Sequence, residues 1–336
     1  MTIFVRTAWA LLAFSTVPAR SQDLKTNSEL QRRLQAATAV SSGVFGVSVR
    51  HVEKHEAASI HGDDKFQMAS VFKIPILVEL FHQAAEGKIS LDERVEWTSP
   101  ERYFGSGVLV TLAPGIRPTI HDLATLMIIL SDNAATDTLG NRLGFPKITA
   151  NLRTLGLTKT TVDLGTRDLI LQCLGLRGDK FQSATTKSVA SMQAEMKAEE
   201  VRHNQKLFLE ECPNCTTPDE MSLLLEKLFT GAAGDAKATG DMLHILSLQQ
   251  FNQRLPRLLP SGIRCDHKTG TLNAPVWVAN DAGIIYLPNG EHVIVSVFSH
   301  GPEVDLNPRE FKAAAASADE RIGAIGSIVY DYYTAQ

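Results

Sequence analysis

The sequence predicts an α+β fold in which an antiparallel sheet is flanked by helices and interrupted by an all-helical part. An early strand over residues 43–52 alternates apolar and small residues and is followed by a long helical stretch. Three further strands follow late in the chain and are joined by short turns, which favours antiparallel pairing. These late strands cover residues 263–272, 276–287 and 293–298. Because the early strand has to join them, we expect the helices between to form a body beside the sheet.

The spacing of apolar residues predicts two helices in the first part of the chain. Residues 23–40 have the mixed polar and apolar spacing of a surface helix. A long helix is predicted near residues 69–86, with apolar side chains on one face and Gly87 as its stop. Pro75 must lie in its early turns, where a missing N–H does least harm.

Two later helix starts carry capping patterns. Thr119 with Asp122 three residues on resembles an N-cap with its carboxylate. Thr217, Pro218 and Glu220 form the cap, first-turn proline and capping-box glutamate of another helix. The chain then ends in a hairpin turn at residues 288–290 and a last helix over residues 308–334.

Size and charge exclude some classes of function. The chain has 336 residues, 44% of them hydrophobic, which suffices for one large domain or two packed subdomains. A formal net charge of −4 offers no electrostatic reason for nucleic-acid binding. We therefore expect no nucleic-acid partner.

The N-terminus has the pattern of a secretory signal. One positive charge precedes the apolar stretch Thr7–Val17, and small residues follow at a plausible cleavage point. The stretch is shorter than the about 20 apolar residues of a membrane span. We expect residues 1–19 to be removed and the mature chain, 20–336, to be periplasmic or secreted, without stable membrane insertion; the alternative is an apolar helix that is retained.

The chain contains four cysteines, Cys173, Cys212, Cys215 and Cys265. Export favours a disulfide, and four cysteines allow three connectivities. Cys212 and Cys215 have the spacing of a zinc pair, but no second such pair and no clustered histidines accompany them. A disulfide is the most favoured state of these cysteines, followed by free thiols and then by a metal site. No metal or organic cofactor is expected.

Three short motifs carry the chemistry. Ser70-Val-Phe-Lys73 opens the first long helix, Ser131-Asp132-Asn133 follows a helix, and Lys268-Thr269-Gly270 lies on a predicted strand. Lys73 lies on the same helix face as Ser70 and can act as its base if burial and a nearby cation such as Lys268 lower its pKa. Each motif alone is weak, but their order and placement together favour catalysis.

These motifs and their surroundings resemble the class A serine β-lactamases, within the superfamily of penicillin-binding proteins and β-lactamases. The resemblance covers about residues 25–165 and 214–336. It includes Phe66–Pro75, Gly105–Leu109, Ser131–Leu139, Thr216–Met221 and Asn280–Ile285. It implies a β-lactamase/transpeptidase-like fold in a single domain, with a sheet subdomain over about 23–65 and 214–336 and a helical subdomain over about 66–213.

The resemblance also implies roles at the site. Ser70 is the nucleophile, Lys73 its base, and Ser131 the relay of a proton to the leaving nitrogen. The N–H groups of Ser70 and Thr271 form the oxyanion hole.

The remaining implied roles concern substrate binding. Asn133 binds a side-chain amide of the substrate, and Lys268, Thr269 and Thr271 face its carboxylate. Asp132 is expected to be a structural cap.

The sequence departs from the family at the step that releases the acyl group. In the family, a loop glutamate activates the hydrolytic water. Anchored on Asp163, the matching stretch places Thr166 at the position of that glutamate; anchored on Arg167, it has no carboxylate two residues on. Asp168 is the nearest other carboxylate. An arginine that often supplements carboxylate binding is missing from the strand Val276–Ile285, which carries Asp281.

Residues 170–213 are longer than the family requires, and we refer to them as the insertion. They include a charged helical run, Ser188–Glu211, expected to present its glutamates to solvent. Three of the four cysteines lie in this segment, which suggests that a disulfide staples it as a lid.

The sequence thus predicts a monomeric serine hydrolase for a small β-lactam or acyl-D-Ala-like substrate. The first hypothesis is a β-lactamase with altered deacylation. The alternatives are a D,D-peptidase or esterase on the same scaffold, and a penicillin-binding sensor that acylates without turnover.

Overall fold

The computed structural model describes residues 24–39, 43–98, 102–302 and 307–335. The predicted signal segment, residues 1–19, lies outside these ranges. The strands are β1 (Lys25–Thr26), β2 (Val44–His51), β3 (Glu56–Ile60), β4 (Phe66–Gln67), β5 (Cys215–Thr216), β6 (Cys265–Asn273), β7 (Trp277–Tyr286) and β8 (His292–His300). The helices are α1 (Ser28–Thr38), α2 (Lys73–Ala85), α3 (Ile120–Ile129), α4 (Asn133–Leu143), α5 (Phe145–Thr154), α6 (Thr166–Cys173), α7 (Val189–Ala194), α8 (Ala198–Glu211), α9 (Pro218–Phe229), α10 (Ala236–Ser247) and α11 (Pro308–Thr334).

Six strands form one sheet in the order β1-β3-β2-β8-β7-β6. The pairing of β2 with β8, in which Val47 lies opposite Val297, confirms that the early strand joins the late ones across the helices. The sheet is mixed, because β1 pairs with β3 in parallel. The strand β3 was not predicted, since Glu56-Ala-Ala-Ser-Ile60 has little of the β-branched and aromatic composition typical of strands.

The sheet has helices on both faces. On one face, Leu30 of α1 and Ile322 of α11 share a core cluster with Val47 of β2. On the other face, the large core cluster includes side chains from α2, α3, α4, α9 and α10. The predicted α+β class, with helices flanking a sheet, is confirmed.

The first long helix differs from its prediction. We expected one apolar face, but every residue of α2 from Lys73 to Phe81 is buried. A helix that is buried all round lies at the centre of a domain, and α2 packs against α3, α4, α5 and α10. Gly87, with a φ of +70°, ends the helix as predicted.

The capping predictions have mixed outcomes. Thr119 and Asp122 form the complete capping box of α3. Thr217 caps α9 through the N–H of Glu220, but the Glu220 carboxylate does not complete that box. It accepts the backbone N–H groups of Lys159 and Thr160 instead, because the loop before α6 packs over this helix start.

The insertion forms a small layer of its own. The charged run is divided between α7 and α8 rather than being one helix. Beneath it, Leu171, Leu176 and Phe181 pack with Phe104 in a separate apolar cluster. The glutamates of α8 are mostly exposed, as expected.

The disulfide hypothesis is corrected in part. Cys212 and Cys215 are joined by a disulfide, whereas Cys173 and Cys265 are free thiols. The bond therefore closes the turn after α8 and does not staple the two ends of the insertion together. Within the described residues, no group of three or more metal-binding side chains is placed to hold an ion.

No helix in the described part of the chain has both the length and the apolar character needed to cross a bilayer. The proposed division at residues 66 and 214 stays a prediction; α10, beyond that second boundary, packs on α2 and α3.

Candidate active site

Ser70 lies in a 3₁₀ turn that leads directly into α2. The preceding Ala69 is 1% exposed and has a φ of +46°, an unfavourable conformation for an L-residue. The side chains of two residues, Gln67 and Asn280, hold the backbone in this conformation. The Ala69 N–H donates to the side chain of Gln67 (2.9 Å), and Asn280 of β7 donates to the carbonyls of Gln67 and Met68 (2.8 and 3.0 Å). The sheet thus fixes the turn that presents Ser70.

The edge strand β6 lies against the same turn. A Cβ added to Gly270 would come within 2.5 Å of the Met68 carbonyl oxygen and 3.1 Å of the Val71 nitrogen. The glycine of the Lys-Thr-Gly motif is therefore required for close approach. Since β6 is the last strand of the sheet, the backbone N–H groups on its outer side are free of strand pairing.

Ser131 lies in the short loop between α3 and α4 and has a φ of +53°. Asp132 caps α4 by accepting the N–H of Ala135, which confirms its predicted structural role. The same carboxylate accepts the N–H groups of Val108 and Leu109 (2.7 and 2.9 Å). The Ser-Asp-Asn motif therefore follows α3 and starts α4. It also connects this loop to the segment that contains Val108 and Leu109.

The hydroxyl of Ser131 lies between two buried ammonium groups. Lys73 Nζ is 3.0 Å and Lys268 Nζ is 3.1 Å from Ser131 Oγ. Lys73 also donates to the Ser131 carbonyl and to Asn133 Oδ1, both at 2.8 Å. In the described ranges the hydrogen bonds of Lys73 Nζ run to these two residues, and none is formed with the Ser70 hydroxyl.

Burial governs the protonation of both lysines. Both side chains are 0% exposed, and desolvation lowers the pKa of Lys73 to about 7, although Asp137 and Asp132 oppose the shift. The pKa of Lys268 lies well below its usual value because of burial and then because of the charge on Lys73. Of the two expected causes, burial lowers the pKa of Lys73, whereas Lys268 is not among the groups that shift it.

Asn133 has both ends of its amide engaged. Its Oδ1 accepts from Lys73, and its Nδ2 donates to the Phe104 carbonyl (2.7 Å). A Cβ on Gly105 would lie 2.5 Å from that Nδ2. The glycine therefore leaves space for Asn133 to face the cleft with a fixed orientation.

A cavity of about 250 Å³ on one side of Ser70 contains an arginine that sequence reasoning missed. Arg254 is 6% exposed and donates to Thr271 Oγ1 (2.7 Å) and to the carbonyl of Gly270 (2.6 Å). Its Nε donates to Asp319 of α11 (2.7 Å). No local pattern marks Arg254, because its partners lie 16 to 65 positions away along the chain. Thr269 and Thr271 line the same cavity.

A second cavity, of about 370 Å³, lies on the other side of Ser70. Thr166 of α6 lines it together with Asn133 and the apolar side chains of Leu169 and Ile170. Asp168 pairs with Arg167 (3.0 Å), and its side chain is 42% exposed. The structure therefore brings Thr166, rather than Asp168, to the cavity beside Ser70.

The chain matches the model of the β-lactamase enzyme family over residues 29–333. Among curated proteins, it is 24% identical to β-lactamase CARB-3 of Pseudomonas aeruginosa over 343 residues, which cover 98% of each chain. Among solved structures, it is similar to an acyl-enzyme complex of a PBP-A variant with penicillin G. That match has a TM-score of 0.71 and 22% identity, over 94% of this chain and all of that one.

A second solved structure agrees. The β-lactamase from Sphaerobacter thermophilus is 25% identical, with a TM-score of 0.69, and the match covers 92% of this chain and 98% of that one. The likenesses extend over the sheet and the helical body alike, and the family model spans all three short motifs. The resemblance predicted from those motifs is thereby confirmed, and the chain belongs to the β-lactamase enzyme family.

Proposed function

We propose that the protein opens the amide bond of β-lactam rings through an acyl-enzyme on Ser70. The observation that carries the proposal is the Ser131 hydroxyl, which lies between Lys73 and Lys268 in the cleft that Ser70 lines. The proposed base and proton relay thus share one buried hydrogen-bonded cluster beside the proposed nucleophile, an arrangement suited to acyl transfer by serine.

Acylation uses the low pKa of Lys73. Near pH 7 a large fraction of its amine is neutral and can take the Ser70 proton as the oxygen attacks the lactam carbonyl. The N–H groups of Ser70 and Thr271 stabilise the oxyanion. As the carbon–nitrogen bond breaks, Ser131 donates its proton to the nitrogen and is resupplied by a neighbouring lysine.

Charge complementarity supports an anionic substrate. Lys73, Lys268 and Arg254 are all buried around the cleft. Arg254 holds the Thr271 hydroxyl and compensates for the arginine missing from β7, so that Lys268, Thr269, Thr271 and Arg254 form the carboxylate site. Asn133, held by its two hydrogen bonds, contacts the amide of the acyl substituent.

The setting of this activity is part of the proposal. We propose an exported enzyme, released by removal of residues 1–19, that works as a monomer with one domain over residues 20–336. A second function, a penicillin-binding protein that is acylated and not released, is favoured by one observation: Thr166 lines the cavity where the family's loop glutamate was expected.

The test combines turnover with intact mass. The purified protein is mixed with a chromogenic cephalosporin, and both ring opening and the mass of the protein are followed. Sustained turnover with a transient adduct on Ser70 supports hydrolysis, whereas a single stable adduct supports the second function. Absence of any adduct in the wild-type protein contradicts both.

Two variants sharpen the test. Ser70→Ala is expected to abolish both signals. Arg254→Ala is expected to lower kcat/KM by about 10-fold to 10²-fold, because it removes a charged hydrogen-bond donor from the carboxylate site. Arg257→Ala is the matched control, since Arg257 lies in the same turn and pairs with Glu320.

A further inference from the structure

Thr166 connects the cavity beside Ser70 to a buried carboxylate. It is the first residue of α6, is 3% exposed, and lines that cavity with Ser70 and Asn133. Its hydroxyl donates to Asp137 Oδ1 (2.7 Å) and lies 3.1 Å from the Asn133 carbonyl oxygen. The shorter contact is with the carboxylate, which is the stronger acceptor.

Asp137 lies in the middle of α4 and is only 4% exposed. Besides the Thr166 hydroxyl, it accepts the backbone N–H groups of Thr166 and Arg167 (2.5 and 3.0 Å). A Cβ on Gly165 would lie 2.8 Å from its Oδ1, so the loop approaches the carboxylate as closely as a glycine allows. Burial raises the pKa of Asp137, which brings its basicity closer to that of a general base at neutral pH.

Anchoring α6 explains the two backbone hydrogen bonds of Asp137, but it does not require the hydroxyl. Among the described residues that donate to Asp137, it is the Thr166 hydroxyl that lies between this carboxylate and the cavity and can pass a proton from one to the other. The cavity, at about 370 Å³, exceeds by far the space that a water molecule needs. A water between Thr166 and an acyl group on Ser70 would therefore have a base in reach through a single hydroxyl.

We propose that Thr166 and Asp137 together activate the water that deacylates Ser70. This inference rests on the proposed acyl-enzyme. The water oxygen attacks the ester carbonyl and gives its proton to Thr166 Oγ1, which passes its own proton to Asp137. As the bond from the carbonyl carbon to Ser70 Oγ breaks, a proton returns from Asp137 through Thr166 to that oxygen. Asp137 and Thr166 end the cycle unchanged.

The pair is linked to the acylation machinery. Asn133 accepts from Lys73 through its side chain, and its carbonyl lies next to the Thr166 hydroxyl. Asp137 in turn raises the pKa of Lys73 against the effect of burial. The proposed base of the first step and the proposed base of the second are therefore neighbours in one network.

The test separates the two chemical steps with a pair of substitutions at one position. Thr166→Val keeps the shape of the side chain and removes the hydroxyl, whereas Thr166→Ser keeps the hydroxyl. Acylation and deacylation of Ser70 by a penicillin are timed by intact mass, and thermal unfolding is recorded for each variant. Thr154→Val, at an exposed position of α5, is the control for the chemical change itself.

We expect Thr166→Val to slow deacylation by about 10²-fold or more, with acylation unchanged, because a general base is lost. Thr166→Ser is expected to deacylate at close to the wild-type rate. Asp137→Asn should slow deacylation at least as much as Thr166→Val; if it does not fold, the comparison of the two Thr166 variants still decides.

Other results overturn the inference. Deacylation by Thr166→Val at the wild-type rate excludes the relay, and so does a Thr166→Ser variant as slow as Thr166→Val. An equal fall in both steps with a lower Tm assigns Thr166 a structural role only. A wild-type protein that is acylated but never released contradicts the relay alone, whereas one that forms no adduct contradicts the proposed function.

Discussion

At the scale of single residues, the candidate site depends on two lysines whose side chains are buried away from water. Lys73 and Lys268 are both fully buried, and desolvation is the largest cause of the lowered pKa of each. A lysine in water would be protonated at pH 7 and could not take a proton from Ser70. Burial in α2, rather than any unusual residue type, therefore allows Lys73 to be neutral near pH 7, as its proposed role as a base requires.

The pKa of Lys73 predicts the pH dependence of acylation. Only the neutral amine can accept the Ser70 proton, so the acylation rate should fall about tenfold for each pH unit below about 7 and level off above it. Lys73→Arg, which stays charged, should lower the acylation rate by about 10²-fold to 10⁴-fold and abolish the dependence of that rate on pH below about 7. The measurement is the rate of adduct formation from pH 5 to pH 9.

The control for this experiment is Lys237→Arg, at an exposed position of α10. It should retain the wild-type profile. A wild-type rate that does not change through pH 7 would show that Lys73 is not the base.

At the scale of elements, the site is a contact between the sheet and the first turn before α2. Asn280 of β7 binds the backbone of Gln67 and Met68, and β6 approaches so closely that only a glycine fits at position 270. The relative placement of Ser70 and the Lys268 motif is thus set by backbone contacts. A small shift of β6 would move Thr271, half of the proposed oxyanion hole, away from Ser70.

Gly270→Ala tests this contact. Its methyl group would lie 2.5 Å from a backbone oxygen, so β6 or the turn has to move. We expect acylation to slow by about 10²-fold, the loss typical of a misplacement near 1 Å. Gly240→Ala is the control, because its Cβ meets nothing within 4 Å in the middle of α10.

Gly240→Ala is expected to leave acylation unchanged and to raise the free energy of unfolding by about 0.5–1 kcal/mol, since alanine favours a helix interior. Rates from intact mass and unfolding in urea measure both effects. Equal acylation by the two variants would mean that the approach of β6 does not position the site.

At the scale of the whole molecule, the insertion forms one wall of the cavity that Ser70 and Thr166 line. It is attached through Arg167, whose guanidinium donates to the carbonyls of Phe181, Gln182 and Ala184. Leu171 and Phe181 then bury their side chains against Phe104, a neighbour of the cleft-lining Gly105. The disulfide lies at the far end of α8, so Arg167 rather than the disulfide connects the first half of the insertion to the site.

Arg167→Ala should therefore loosen the insertion. The carbonyl groups of Phe181 and Ala184, which are buried, and that of Gln182, which is partly buried, lose their donor, at a cost of about 1–3 kcal/mol in the free energy of unfolding. Trypsin should then cleave after Lys180 and Lys187 faster than in the wild-type protein, as mass spectrometry of the fragments can show. Arg202→Ala, at an exposed position of α8, is the control; equal cleavage of the two variants would contradict this attachment.

Much of the local structure was predictable because its causes lie within a few residues. The cap of α9 at Thr217, the stop of α2 at Gly87 and the range of α11 follow from local signals. The three motifs were found because their spacing and order are themselves sequence patterns. The capping glutamate Glu220 was misassigned since its real partners lie about 60 positions away.

The sequence by itself determined the class of fold and the family, and it predicted Ser70, Lys73 and Ser131 as site residues, because helix periodicity, caps and short motifs are encoded locally. The tertiary structure decided how these groups work. Burial of α2 lowers the pKa of Lys73, and long-range packing brings Arg254 to one of the cavities beside Ser70. It also places Asp137 behind Thr166. Desolvation and contacts between distant segments exist only in the folded chain, so no local pattern could have revealed them.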